Sequence, residues 1–295
     1  MKLTKDSKVL LQGFDEPLAS TYVARMKAHG TNVLAVVTPG LGGQILHDIP
    51  VFDLVEQALP VVGLIDTTVI FVPPYQALDA ALEAIAAGIR QLIIISSGMP
   101  PLDMVYLLRK AEATETIVVG PNSPGIIVPG KILLGTHASE FYTPGAVGIV
   151  SRSSTLTYEV ALELTNSGLG QSIVVSIGSD AIAGSSFLQW LQILDEDETT
   201  QVIVLIGEPG GSSEETAAQY IAEAIDKPVI AYVAGCHAPR GNWGHTGTLA
   251  AVVLGRGTTE RTAQSKIAAF REVNVPIAKR PSQIPELVRQ ALERE

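Results

Sequence analysis

Short β-branched runs alternate with longer stretches in which apolar residues recur every three or four positions. The short runs predict strands at Lys8 to Gln12, Asn32 to Val37, Thr67 to Val72, Leu92 to Ile95 and Thr116 to Val119. Between them the longer stretches predict helices. Tyr75 to Ala87 puts Leu78, Leu82 and Ile85 at three- and four-residue spacing, with Ile89 beyond, which is the period of one buried helical face; Gly88 ends it.

From Gly120 to Gly145 the pattern breaks. Pro121, Pro124, Pro129 and Pro144 punctuate the segment and helical periodicity disappears, which predicts a junction. Beyond it, strands are expected at Val147 to Val150, Ser172 to Ile177, Val202 to Ile206 and Val229 to Val233. Helices are expected at Thr155 to Asn166, Ser186 to Leu194, Glu214 to Ile225, Thr262 to Glu272 and Ile284 to Leu292. Strands separated by helices make βαβ units and parallel sheets. The expected organisation is two doubly wound α/β domains in tandem, residues 1–125 and 146–295, joined by 126–145.

Composition fits that layering. With 46% apolar residues but only 5% aromatics, the cores must be built from Ala, Val, Ile and Leu. A formal charge of -10 argues against nucleic acid or an anionic membrane surface as partner, because a long phosphate backbone would be repelled. Cys236, the single cysteine, rules out an internal disulfide and is expected to be a buried thiol. The polar start and the lack of a long apolar run predict a soluble, cytoplasmic protein.

Three loops carry the candidate chemistry, all expected at the carboxyl edge of a sheet, where such folds bind ligands. Ser151-Arg152-Ser153-Ser154-Thr155 passes from a strand into a helix, whose first N–H groups lack internal partners and attract an anion. The same residues also suit plain N-capping by Ser153 or Ser154. Glu208, in Gly207-Glu208-Pro209-Gly210-Gly211, either reaches over the sheet edge to orient an imidazole or simply faces solvent. His245 lies in a glycine-rich loop, Gly241 to Thr248, where a ring nitrogen can swing and accept a phosphoryl group. His29, His47, His137 and His237 form no metal-ligand spacing, and no metal site is expected. No P-loop, no nucleophile elbow and no G-x-G-x-x-G is found. An NAD-dependent oxidoreductase is therefore disfavoured.

Taken together, Gly120-Pro121-Asn122-Ser123-Pro124-Gly125, Gly148 to Ser153, Thr155-Leu156-Thr157-Tyr158-Glu159, Gly207-Glu208 and Gly244-His245 resemble the α subunit of succinyl-CoA synthetase, in order, from about Lys8 to Leu292. The resemblance implies a Rossmann-like CoA-binding domain followed by a flavodoxin-like ligase domain. It also implies a β subunit with an ATP-grasp site holding ATP or GTP and most of the Mg²⁺, and reversible formation of succinyl-CoA. On this chain it makes His245 the phosphorylated residue and Glu208 its partner, with Ser153, Ser154 and Thr155 at the phosphate and Tyr158 near succinate. CoA would meet Thr38, Pro39, Val72, Pro73, Ile95 and Ser96.

Departures cluster in the CoA domain. Asp15, Glu16, Pro17 and Leu18 replace a glycine-rich phosphate loop, and Leu41 stands where the family has a lysine. Ser97 replaces a glutamate, Ser123 a cysteine and Ser154 a glycine. Two rivals therefore stand beside the ligase: a regulatory or binding subunit whose CoA domain has degenerated, and a ligase for another carboxylate.

Overall fold

The computed structural model describes residues 3–14, 19–236 and 262–293. The chain forms two compact units, Met1–Ser139 with Ile182–Gly184, and Glu140–Ala181 with Ser185–Glu295.

The first unit runs β1 (Lys8–Gln12), α1 (Ala19–Ala28), β2 (Asn32–Val37), β3 (Ile45–Leu46), β4 (Ile49–Phe52), α2 (Val55–Val62) and β5 (Thr67–Ile70). It continues with α3 (Ala77–Ala86), β6 (Gln91–Ile94), α4 (Pro101–Ala113) and β7 (Ile117–Val119). The sheet order is β3-β4-β2-β1-β5-β6-β7, parallel except for the short β3–β4 pair. The chain leaves β1 toward β2 and returns to its other side at β5, so the strand order reverses between β1 and β5. Such a reversal opens a crevice at the carboxyl ends of the strands.

The packing of α3 departs from the leucine stripe. Ala77, Ala81, Ala84 and Ile85 are buried, while Leu78 and Leu82 are only partly so. Alanines let the helix approach the sheet closely, and the leucines flank that contact. The helix starts at Ala77 rather than Tyr75, because Pro73 and Pro74 hold the preceding backbone extended or turned.

The proline-rich segment also holds more order than its punctuation predicts. β8 (Gly125–Val128) and β9 (Ile132–Gly135) pair antiparallel, and all eight residues are buried. Pro129-Gly130 makes the turn, with Gly130 at φ 72° and Lys131 N–H donating to Val128 O at 2.9 Å. Thr31 ties the hairpin down, donating to Leu133 O at 2.8 Å and accepting Leu133 N–H at 3.0 Å.

The second unit runs β10 (Pro144–Ser151), α5 (Ser154–Asn166), β11 (Gln171–Ser176), α6 (Phe187–Glu196) and β12 (Val202–Gly207). It continues with α7 (Ser213–Ala224), β13 (Val229–Val233), α8 (Ala263–Glu272), β14 (Ile277–Ala278) and α9 (Ile284–Leu292). Its strands lie in the order β14-β13-β12-β10-β11, joined by parallel pairings. This is the flavodoxin-like arrangement, with the reversal between β10 and β12. Every residue of β11 and β12 is buried, as expected of strands covered by helices on both faces.

Candidate active site

In the first unit, the loops after β1, β2, β5 and β6 meet at the carboxyl edge. Gly13 has φ 86°, and a Cβ there would lie 2.6 Å from Val72 N, so only glycine lets the β1 loop pass so close to the β5 loop. Thr38 is buried and its hydroxyl oxygen accepts Phe14 N–H at 2.9 Å, which leaves the hydroxyl proton to donate. Ser96 does the reverse: its hydroxyl donates to Val72 O, which leaves its oxygen to accept. Val72 is buried, Pro73, Ile95 and Ser96 are half-buried, and Pro39 is exposed. The six residues expected at CoA thus follow β2, β5 and β6 along one edge. Beside them, Gly40 and Gly42 donate their N–H groups to Asp53 Oδ1 at 2.7 and 3.0 Å, with Leu41 between. Asp15, Glu16, Pro17 and Leu18 lie outside the described residues.

In the second unit, β10 ends at Ser151, whose hydroxyl donates to Ser153 O and accepts Ser153 N–H, both at 3.0 Å. That turn sets Ser153 as the residue before α5. Its side chain makes no capping bond to the helix, so the capping alternative does not describe it; it hydrogen-bonds the Glu208 side chain instead. Ser154 and Thr155 occupy the first turn, partly buried and exposed respectively. Tyr158 sits one turn further, its ring edge-on to Phe141 at 6.1 Å. Phosphate-like charge is favoured at such a helix start.

Glu208 follows β12 and is partly buried rather than solvated. Its carboxyl pKa is pushed up to about 7, chiefly by burial. Arg152 pulls it down, Glu214 pushes it up and the Ser153 bond pulls it down. A carboxyl that exchanges its proton near neutrality can hold or release the N–H proton of an imidazole. His245 and His237 lie outside the described residues. Cys236 is partly exposed, not buried as its type predicts, with Sγ donating to Val233 O at 3.3 Å.

The sequence reading passed over the charges behind Glu208. Glu214 and Lys266 are fully buried and Arg152 nearly so. A signal existed in the helical period: Glu214 is buried in register with Ala217, Ala218 and Ile221, and Lys266 with Ala263 and Phe270. A charge inside an apolar stripe marks a buried ionic partner. Among the described residues, no group of three or more His, Cys, Asp or Glu could hold a metal ion, and no helix is long and apolar enough to cross a membrane.

Comparison with known proteins adds the family. The CoA binding domain matches residues 4–98 and the CoA-ligase domain residues 150–251. The chain is 42% identical over 287 residues to the succinate–CoA ligase [ADP-forming] subunit alpha 2 of Archaeoglobus fulgidus, covering 97% of both. It is 40% identical over 296 residues to the corresponding alpha subunit of Aquifex aeolicus, covering 99% of this chain and 94% of that one. The solved ATP citrate lyase of Methanothrix soehngenii, in complex with citrate and coenzyme A, superposes with a TM-score of 0.88 at 24% identity. That match covers all of this chain but 51% of the lyase, so the chain spans about half its length and the likeness is one of fold. With both domains matched in order and relatives near 40% identical along almost the whole length, the chain belongs to the family of succinate–CoA ligase α subunits.

Proposed function

We propose that this chain is the α subunit of an acid–thiol ligase that forms succinyl-CoA from succinate, CoA and ATP through a phosphohistidine at His245. The reaction needs a β subunit of the ATP-grasp type, which binds the nucleotide and most of the Mg²⁺. ATP is preferred over GTP in this reading because the relatives are ADP-forming. The pair works in the cytoplasm.

A ring nitrogen of His245 attacks the γ-phosphorus and the nucleoside diphosphate leaves. The succinate carboxylate then takes the phosphoryl group, giving an acyl phosphate and free imidazole. Finally the CoA thiolate attacks the acyl carbon, the thioester forms and inorganic phosphate departs. Dividing one hard condensation into three displacements lowers each barrier. Glu208 orients the imidazole and holds its second proton, while Ser153, Ser154 and Thr155 present the α5 terminus to the phosphoryl group. Tyr158 borders the succinate. Thr38 and Ser96 offer one donor and one acceptor to the amide-bearing arm of CoA, and Val72, Pro73, Ile95 and Pro39 offer apolar surface.

The observation that carries the reading is the Glu208–Ser153 pair at the strand-order reversal: a carboxyl titrating near 7 beside an anion-favouring helix start. The test is incubation of the α–β pair with γ-labelled ATP and digestion for phosphohistidine. Label is expected on the α chain and absent in His245→Asn; label that persists in the variant removes His245 from the mechanism. Calorimetry with CoA separates the ligase from a degenerate binding subunit, which would give no heat at millimolar CoA.

A further inference from the structure

Glu214, Lys266 and Arg152 are withdrawn from water, yet none of them has a part in the displacement steps above. Stability does not account for them. Taking two charges out of water costs about as much as their attraction returns, and well-packed apolar residues of the same volume serve as well or better.

Their bonds converge on one turn. Glu214 Oε1 accepts the Glu208 N–H at 3.1 Å, and Oε2 accepts the Ser213 hydroxyl at 3.1 Å. Lys266 Nζ donates to the Glu214 carboxylate, to Gly211 O at 3.1 Å and to Glu215 Oε2 at 3.1 Å. Its three protons thus have three acceptors. Arg152 lies 4.0 Å from Glu214 Oε1 and reaches toward Gly210 O at 3.5 Å. The turn is therefore gripped at residues 208, 210 and 211. Gly207 makes the approach possible, since a Cβ there would stand 2.7 Å from Glu214 Cγ.

We propose that the buried Glu214–Lys266 pair is the positioning device for Glu208, fixing the Gly207–Gly211 turn so that the Glu208 carboxyl meets Ser153 and placing the Glu214 carboxylate behind it. The role rests on the reading of Glu208 as the partner of His245. Among the described residues, the charged groups that face Glu208 are Arg152, from the β10–α5 turn, and Glu214, from α7. Lys266 on α8 acts on Glu208 through Glu214. The Glu214 carboxylate adds its repulsion to the burial that chiefly raises the Glu208 pKa, against the pull of Arg152, and the result is a carboxyl with a pKa of about 7. Such a carboxyl takes up the imidazole proton and returns it with little change in energy.

The test follows the Glu208 carboxyl carbon by NMR titration of the full chain labelled at glutamate, with Glu208→Gln assigning the signal. Glu214→Gln keeps an acceptor for the Glu208 N–H but removes the charge. Its Glu208 midpoint is expected to fall by on the order of one unit. The pH profile of phosphohistidine formation with the β subunit should move in the same direction. Glu215→Gln removes a charge from the same helix while its amide oxygen still accepts from Lys266, and it does not touch Glu208, so both readouts should stay at the wild-type position. The proposal is overturned if the Glu214→Gln midpoint coincides with wild type, or if Glu215→Gln moves it equally. Should Glu214→Gln not fold, Glu214→Gln with Lys266→Met, which carries no unpaired buried charge, replaces it under the same criterion. A wild-type chain that forms no phosphohistidine while the midpoint still moves would refute the role of His245 and leave the Glu214–Glu208 coupling intact.

Discussion

Among the described residues, the buried polar side chains that serve the carboxyl edge of the first sheet, Gln12 and Thr38 with Thr68 beneath them, are neutral; behind the edge of the second, Arg152, Glu214 and Lys266 are buried beside the neutral Ser151 and Ser153. Gln12 accepts the Thr68 hydroxyl at 3.0 Å and donates to Ala80 O at 3.0 Å and to Glu83 Oε2 at 3.4 Å, so the charge this network meets sits on a partly buried carboxylate and not on a buried one. Both edges lie at a reversal of strand order in a parallel sheet, so topology alone does not explain the contrast. Under the proposed function, the difference follows from what each edge would handle. A ligand held by hydroxyls and apolar surface needs shape and a few weak bonds. A phosphoryl group moving on and off an imidazole changes charge at every step, and fixed charges in a poorly polarisable surrounding respond to that more strongly than hydroxyls do.

The two edges should differ most when a single buried partner is removed. Lys266→Met leaves the Glu214 carboxylate buried with only Arg152, 4.0 Å away, as a cation, and is expected to cost about 3 kcal/mol. Thr68→Val in the first unit breaks one neutral hydrogen bond and should cost about 1 kcal/mol. Urea midpoints compare the two. Equal losses would mean that the second edge is ordinary packing that happens to be charged.

pH separates the units in sign. The Glu208 carboxyl has its pKa raised from 4.5 to about 7, so the folded chain holds that proton more tightly than the unfolded one. Below 4.5 both states are protonated and the shift costs nothing; between 4.5 and 7 stability falls as pH rises. The first unit contributes the opposite slope. His137 is fully buried, donates to Gly125 O at 3.1 Å, and has its pKa lowered from 6.5 to about 4, chiefly by burial. Above 6.5 it is neutral in both states, and between 6.5 and 4 stability falls as pH falls. Each shift corresponds to about 3 kcal/mol across its window. His137→Gln should flatten the acid side and Glu208→Gln the neutral side in urea unfolding repeated from pH 4 to 7.5. A variant that flattens the wrong side, or neither, would show that the limb belongs to other groups.

The same contrast explains what could be read from the sequence. Strand positions were legible because fully buried parallel strands are continuous apolar runs, as in Val202 to Ile206. The β8–β9 hairpin was not, because Pro124, Pro129 and Pro144 read as punctuation although the runs Ile126 to Val128 and Ile132 to Leu134 lie between them. The α3 face was read from its leucines, whereas close helix–sheet approach selected its alanines. At the site, Glu208 and Ser153 were legible because a strand end followed by a tight turn fixes where a side chain emerges. Glu214 and Lys266 were not, because a charge near a helix start reads by default as a solvated partner of the dipole. Only their register with buried neighbours told otherwise.

The smallest expected effect concerns a charge that the first edge lacks. Leu41 stands between Gly40 and Gly42, whose N–H groups are both taken by the Asp53 carboxylate. An anion arriving there meets a carboxylate already in place. By resemblance to the family, a lysine at this position would neutralise a CoA phosphate. Leu41→Lys should therefore tighten CoA binding by about 1 kcal/mol, roughly fivefold, which is what an exposed ion pair contributes. The gain should shrink as salt is raised, because exposed charges more than about 8 Å apart are screened at physiological ionic strength. Asp53→Asn removes the competing carboxylate and keeps the acceptor for the two glycine amides, so the double variant should bind at least as tightly as Leu41→Lys alone. Calorimetry at two salt concentrations measures both. If neither variant changes the affinity, the CoA phosphates do not approach this loop, and the neutral groups of the edge account for the recognition by themselves.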